Sequence, residues 1–122
     1  MLAGCGVLGG TPAPRGSDAV ISVLIDVSEA SDPGTALSLE IGRAAWSARS
    51  DEPGMAALSA PDPQRVRLVR IDDCAVLAEF TADPGTAHVI RLQADGEAVV
   101  EDRTAADAAA DPLEPSDPVD CP

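Results

Sequence analysis

Ile21-Ser22-Val23-Leu24-Ile25-Asp26-Val27 decides the fold. Its odd positions, Ile21, Val23, Ile25 and Val27, are all β-branched, and Ser22 and Asp26 stand between them. A period of two sends successive side chains to opposite faces, so the stretch reads as a strand with one buried face and one partly wet face. Leu37, Leu39 and Ile41 repeat the pattern against Ala36, Ser38 and Glu40. Between the two runs lies Ser31-Asp32-Pro33-Gly34-Thr35, a turn signal, and the expectation is a hairpin.

Asp-Pro-Gly-Thr-Ala returns at Asp83 to Ala87, between the apolar run Val76 to Phe80 and the alternating run Val89 to Leu92. The flanks share little beyond the turn, so two similar turns are expected rather than a duplicated half-domain. Further turn signals fall at Gly42-Arg43, Asp51-Glu52-Pro53-Gly54, Pro61-Asp62-Pro63, Asp72-Asp73 and Asp95-Gly96. Punctuation this dense, with no run at helical period, predicts an all-β chain. The expected form is an immunoglobulin-like antiparallel β-sandwich of about 7–8 short strands. The strands are expected at about residues 19–28, 35–42, 44–48, 55–59, 65–71, 74–81, 86–93 and 97–102. Arg65 to Ile71 loses its alternation between Leu68 and Val69, and a bulge there would restore it. Cys74, Val76, Ala78 and Phe80 are expected to share a face, with Cys74 at the core margin.

Three regions follow: a flexible linker over 1–17, the sandwich over 18–103, and an Ala/Asp/Pro-rich tail over 104–122. Thr104 and Asp107 could cap a short helix through Ala110. Beyond it, Asp111 to Pro122 should be extended or disordered apart from Cys121. With one Phe and one Trp in 122 residues, Val, Leu and Ile must fill the core, and Trp46 is expected as a core or rim anchor.

The chain carries 21 acids and 8 arginines, for a formal charge of −13, and contains no Lys. Phosphate recognition is built from clustered Lys and Arg, so a nucleic-acid partner is not expected. No stretch approaches the roughly 18 apolar residues of a spanning helix.

Leu2-Ala3-Gly4-Cys5 resembles the lipobox of bacterial lipoproteins. The resemblance implies that Cys5 carries lipid on its thiol, that the chain is cut just before it, and that the new N-terminus is often acylated as well. A signal peptide needs a charged start and an apolar run of about 7–15 residues. Only Met1 to Gly4 precede Cys5, so the signal is truncated here and the natural start is expected upstream. Gly9 to Ser17, rich in Gly and Pro, reads as a tether. Several acyl chains on one residue hold a bilayer durably, at about 0.8 kcal/mol per buried methylene.

Three cysteines is an odd count, and assigning Cys5 to lipid leaves Cys74 and Cys121 as a pair. An extracytoplasmic compartment would let them oxidise. Closing that loop would stabilise by about 4 kcal/mol in the chain-entropy model and fasten the tail.

No catalytic residues are expected. The lone histidine, His88, begins a strand whose inward face continues through Ile90 and Leu92, and reads as a half-buried structural imidazole. No nucleophile motif surrounds any serine. No cofactor is expected, and one histidine is too few for a zinc site. Asp72 and Asp73 could offer oxygens to calcium from a loop, but without the Asp-x-Asp-x-Asp-Gly pattern they read first as a turn, so no metal site is assigned. Arg65, Arg67 and Arg91 are expected to pair across strands with Glu79, Glu97 and Glu101 on a wet sheet face.

Pro84 to Gly96 also resembles the closing strand of carboxypeptidase-regulatory or transthyretin-like β-sandwich domains, in which a Pro-Gly turn leads into an alternating strand ending in Asp-Gly. The match covers about a tenth of the chain and implies a transthyretin-like form of the sandwich, of a kind that binds or supports partners. Together these readings predict a non-catalytic protein on the extracytoplasmic face of a bacterial membrane, held through lipid on Cys5. It would present a small acidic sandwich to an envelope protein or glycan. The alternative expectation is a small-ligand or calcium-binding module using the Asp-rich loops. A third is a soluble cytosolic protein in which the lipobox match is accidental. The oligomeric state is not legible.

Overall fold

The computed structural model describes residues 19–30, 34–104, 110–119 and 121. The lipobox, the linker and the body of the helix expected after Thr104 lie outside them. Among the described residues there are nine strands and no helix: β1 (Ala19–Asp26), β2 (Ala36–Ile41), β3 (Ala44–Arg49), β4 (Gly54–Ala60), β5 (Gln64–Arg70), β6 (Ala75–Ala82), β7 (Ala87–Leu92), β8 (Ala98–Asp102) and β9 (Glu114–Ser116). They form a β-sandwich of a five-stranded sheet, β9-β3-β2-β5-β6, and a four-stranded sheet, β4-β1-β7-β8. Every pairing is antiparallel except β1 with β7.

The alternation read from the sequence builds the core. Ile21, Val23 and Ile25 of β1, with Ile90 of the neighbouring β7, face Leu37, Leu39 and Ile41 of β2 and Val66 and Leu68 of β5, none more than 1% exposed. Each such side chain contributes about 1.5–3 kcal/mol relative to an exposed one. Trp46 sits on the inner face of β3 opposite Leu39, partly buried against this cluster, where a rim anchor was expected.

The expected hairpin between β1 and β2 does not form, because the two strands lie in different sheets. The second Asp-Pro-Gly-Thr-Ala behaves alike, leading from β6 in one sheet to β7 in the other. The repeated turn therefore marks crossings between layers. Both strands of each crossing must turn an apolar face to the same core, and a connection that arches over the core end meets that need. The adjacent hairpins are β2–β3, β5–β6 and β7–β8.

The register does shift between Leu68 and Val69, but the extra residue belongs to the partner strand. Leu68 pairs with Ala78 and Val69 with Val76, so Leu77 is the inserted residue. The insertion breaks the face expected to run from Cys74 to Phe80. Ala78 and Phe80 stay on the core side, while Val76 turns outward and is 48% exposed.

The tail, expected to be extended or disordered, is in part a paired strand. The Met55 N–H donates to the Asp111 carbonyl (3.0 Å) and the Leu113 N–H to the Met55 carbonyl (2.9 Å), so residues 111–113 seal the edge of β4. Three residues later the same segment, as β9, pairs with β3 in the opposite sheet. Pro115 is tolerated there because it faces Trp46, whose own N–H and C=O are turned to Leu39 on β2. Beyond Ser116, level with Ala45, Cys121 is bonded to Cys74 in the turn between β5 and β6. Ser38 and Val69, opposite one another on the outer face of this sheet, are 1% and 0% exposed.

Candidate functional site

The tail-sealed edge carries a cleft of about 1010 Å³ between the ends of the sheets and the segment 110–114. Its apolar wall comes from Leu24, Ile25 and Leu113. Gly54 opens β4 without a side chain because a Cβ there would fall on the Leu113 side chain. The sequence read this glycine only as turn punctuation. Its emptiness serves a residue of the tail, and no local pattern signals that.

Both arginines of the cleft are committed. Arg91 bonds Asp26 and Glu101, each at 2.5 Å, on the outer face of the four-stranded sheet. Asp26 is held below the ordinary carboxylate range, first by the Ser28 N–H that donates to it at 2.9 Å and also by Arg91, against the opposing effect of its burial. Arg49 bonds Asp51 at 3.2 Å and the Gly34 carbonyl at 2.9 Å. The cleft is thus walled by satisfied ion pairs and presents no spare cation.

Cys74 and Cys121 are joined, with Cα atoms 5.5 Å apart and a sequence separation of 47. Cys74 takes a left-handed backbone, φ 58°, in the turn between β5 and β6. Asp73 organises that turn. Its carboxylate accepts from Arg70 at 3.0 and 2.8 Å and from the Ala75 N–H at 3.2 Å. The Arg70 bonds come first in lowering its pKa to about 2, and the Ala75 N–H adds to them. The loop carboxylate considered for calcium is therefore engaged by an arginine three residues before it, while Asp72 is exposed. Among the described residues no three His, Cys, Asp or Glu side chains cluster as a metal site.

His88 lies where expected, on the core side of β7 and half-buried, its ring 5.0 Å from Phe80 across the sandwich. Its Nε2 is 2.8 Å from Thr86 Oγ1, and its Nδ1 is 3.6 Å from an Asp102 carboxylate oxygen. A hydroxyl, an imidazole and a carboxylate in a row have the outline of a catalytic relay. The proton count opposes that use. Thr86 Oγ1 donates to the Asp83 carbonyl at 2.6 Å, so it accepts from Nε2–H and has no proton directed at the ring.

The expected cross-strand pairs form between Arg65 and Glu79 (3.4 Å) and between Arg91 and Glu101. Arg67 turns instead to Glu40 on β2 (3.2 Å), with side chains only 22% and 14% exposed. That pair shares its face of the sheet with Ser38 and Val69. Alternation assigns a residue to a face without saying how deeply that face is buried. Cys5 lies outside the described residues.

No protein-family model, curated protein or solved structure matches this chain.

Proposed function

We propose that this chain is a non-catalytic display protein, held at the extracytoplasmic face of a bacterial membrane by lipid on Cys5 and offering its acidic sandwich to a protein or glycan partner. The observation that carries the reading is the bond between Cys74 and Cys121. Disulfides persist in oxidising compartments, and pairing these two leaves Cys5, within Leu2-Ala3-Gly4-Cys5, as the thiol available for acylation. The Gly/Pro-rich stretch after it suits a tether. Two features support a role without chemistry: the hydroxyl beside His88 gives its proton to a carbonyl, and both arginines of the cleft are already paired.

Expression of the gene with its upstream codons tests this. The product is expected in the membrane fraction, with an intact mass raised by acyl chains on Cys5. A soluble product with an unmodified Cys5 refutes it.

A further inference from the structure

The two sides of the sandwich are finished differently. On one, the tail seals β4 at Met55 and β3 along 45–47. On the other, β6 and β8 end their sheets, and no strand among the described residues pairs with the outer side of either.

The hydrogen-bond phase identifies the backbone groups left over. The Gly42 N–H donates to the Arg65 carbonyl (2.9 Å) and the Ile71 N–H to the Ala36 carbonyl (3.1 Å), which turns the odd residues of β5 toward β2 and the even ones toward β6. On β6, Ala78 and Phe80 therefore bond back to β5, while Glu79 and Thr81 point their N–H and C=O away from the sheet. On β8, the bonds from Arg103 to Ala87 (3.0 Å) and from Gln93 to Glu97 (2.9 Å) turn Val99 and Glu101 to β7 and leave Val100 and Asp102 facing outward.

Natural edges are guarded by Lys, Pro, inward charge or a covering segment. β6 reads Ala-Val-Leu-Ala-Glu-Phe-Thr-Ala, with no Lys, no Pro and one charge. The side it borders is also the apolar one. Of the five large hydrophobic side chains that are well exposed among the described residues, Val76, Val99 and Val100 belong to β6 and β8. Phe80 and Leu77 are only partly buried behind them. Acids stand beside the opening: Glu79 on its rim, Asp83 just past β6, and Asp102 on β8, while Glu101 is held by Arg91. Arg65 reaches Glu79 but is 71% exposed, a weak pairing on a wet surface.

We propose that the outer edge of β6 is the partner-binding surface, and that it takes an extended segment of another protein in which basic and apolar residues alternate. Main-chain bonds to Glu79 and Thr81 would supply affinity, the apolar side chains would cover Val100 and Phe80, and the basic ones would meet the acidic rim. A second copy of this chain is the poorer occupant, since each copy carries −13. This rests on the display reading above and names its partner face.

The test uses the full chain and two end-blocked peptides of the length of β6, 8 residues, one alternating arginine with valine and the other glutamate with valine. Amide hydrogen exchange is followed residue by residue. The basic peptide is expected to slow exchange at Glu79 and Thr81, to lose this effect in high salt, and to leave Met55 unchanged; the acidic peptide is expected to do neither. Thr81→Pro deletes an outward N–H without deleting a bond to β5, and should abolish the protection. Should that variant fail to fold, Glu79→Arg should instead transfer the preference to the acidic peptide. The proposal is overturned by equal protection from both peptides, by none at these amides, by protection confined to β3 or β4, or by dimerisation that protects the same amides without peptide. Since the peptides need neither lipid nor envelope, failure here leaves the mass and fractionation test of the display reading independent.

Discussion

Replacing Cys74 and Cys121 together by serine should cost this sandwich a large part of its stability. The bond closes a loop with a separation of 47, for which the chain-entropy relation gives about 4 kcal/mol at 25 °C. At about 4–8 °C per kcal/mol for a domain of this size, the midpoint should fall by about 16–32 °C. Serine is the replacement to use. Cys74 has φ 58°, and glycine there would relieve about 1 kcal/mol of left-handed backbone strain and mask part of the loss. Urea unfolding of wild type and variant, followed by Trp46 fluorescence, supplies the comparison. Trp46 pairs with Pro115, so the same signal reports whether β9 leaves β3 before the body unfolds. A difference below about 1 kcal/mol would refute the chain-entropy reasoning. Two titratable thiols among residues 74 and 121 of the denatured, unreduced protein would refute the bond itself.

Three further outcomes follow from particular contacts. Leu113→Ala should destabilise by about 2–3 kcal/mol, and Gly54→Ala by a comparable amount because its methyl occupies the Leu113 seat; equilibrium unfolding of both singles and the double should show strong non-additivity. Arg67→Ala leaves a largely buried Glu40 unpaired and should cost about 2 kcal/mol, whereas Arg65→Ala in an exposed pair should cost under about 1 kcal/mol; equal effects in urea would contradict the difference in burial. Arg70 holds the Asp73 carboxyl at about 2, below the ordinary aspartate value, so its contribution is present above the unfolded value and lost as pH falls from about 4 toward 2. Acid titrations of stability should show a shallower decline for Asp73→Asn than for wild type across that window.

Strands were legible here because alternation is a local property. Ile21, Val23 and Ile25 declared their face without help from any other segment, and so did Leu37, Leu39 and Ile41. Pairing was less legible because it is decided at a distance. Asp-Pro-Gly-Thr specifies that the chain reverses, yet both copies lead into the opposite sheet, and only the shared core dictates that. The break at Leu68-Val69 was visible, but its cause lies on the neighbouring strand, where Leu77 is the extra residue, and Val69 is buried although it is on the outer face. β9 escaped notice for an opposite reason. Pro112, Pro115 and Pro118 argue against a strand, and the ladder phase that excuses Pro115 is set by β3. Among site residues, Cys74 and Cys121 could be paired by counting once Cys5 was set aside. Asp72 and Asp73 were legible as a turn, but the partner that engages Asp73, Arg70 three positions earlier, was not, because no spacing rule marks that pair in a β-chain.

The parallel pairing of β1 with β7 has a consequence for biogenesis. Asp26 and Arg91, which that pairing brings into contact, are 65 positions apart. The centre of the four-stranded layer cannot assemble until most of the polypeptide has been synthesised, and long-range closures of this kind are slow.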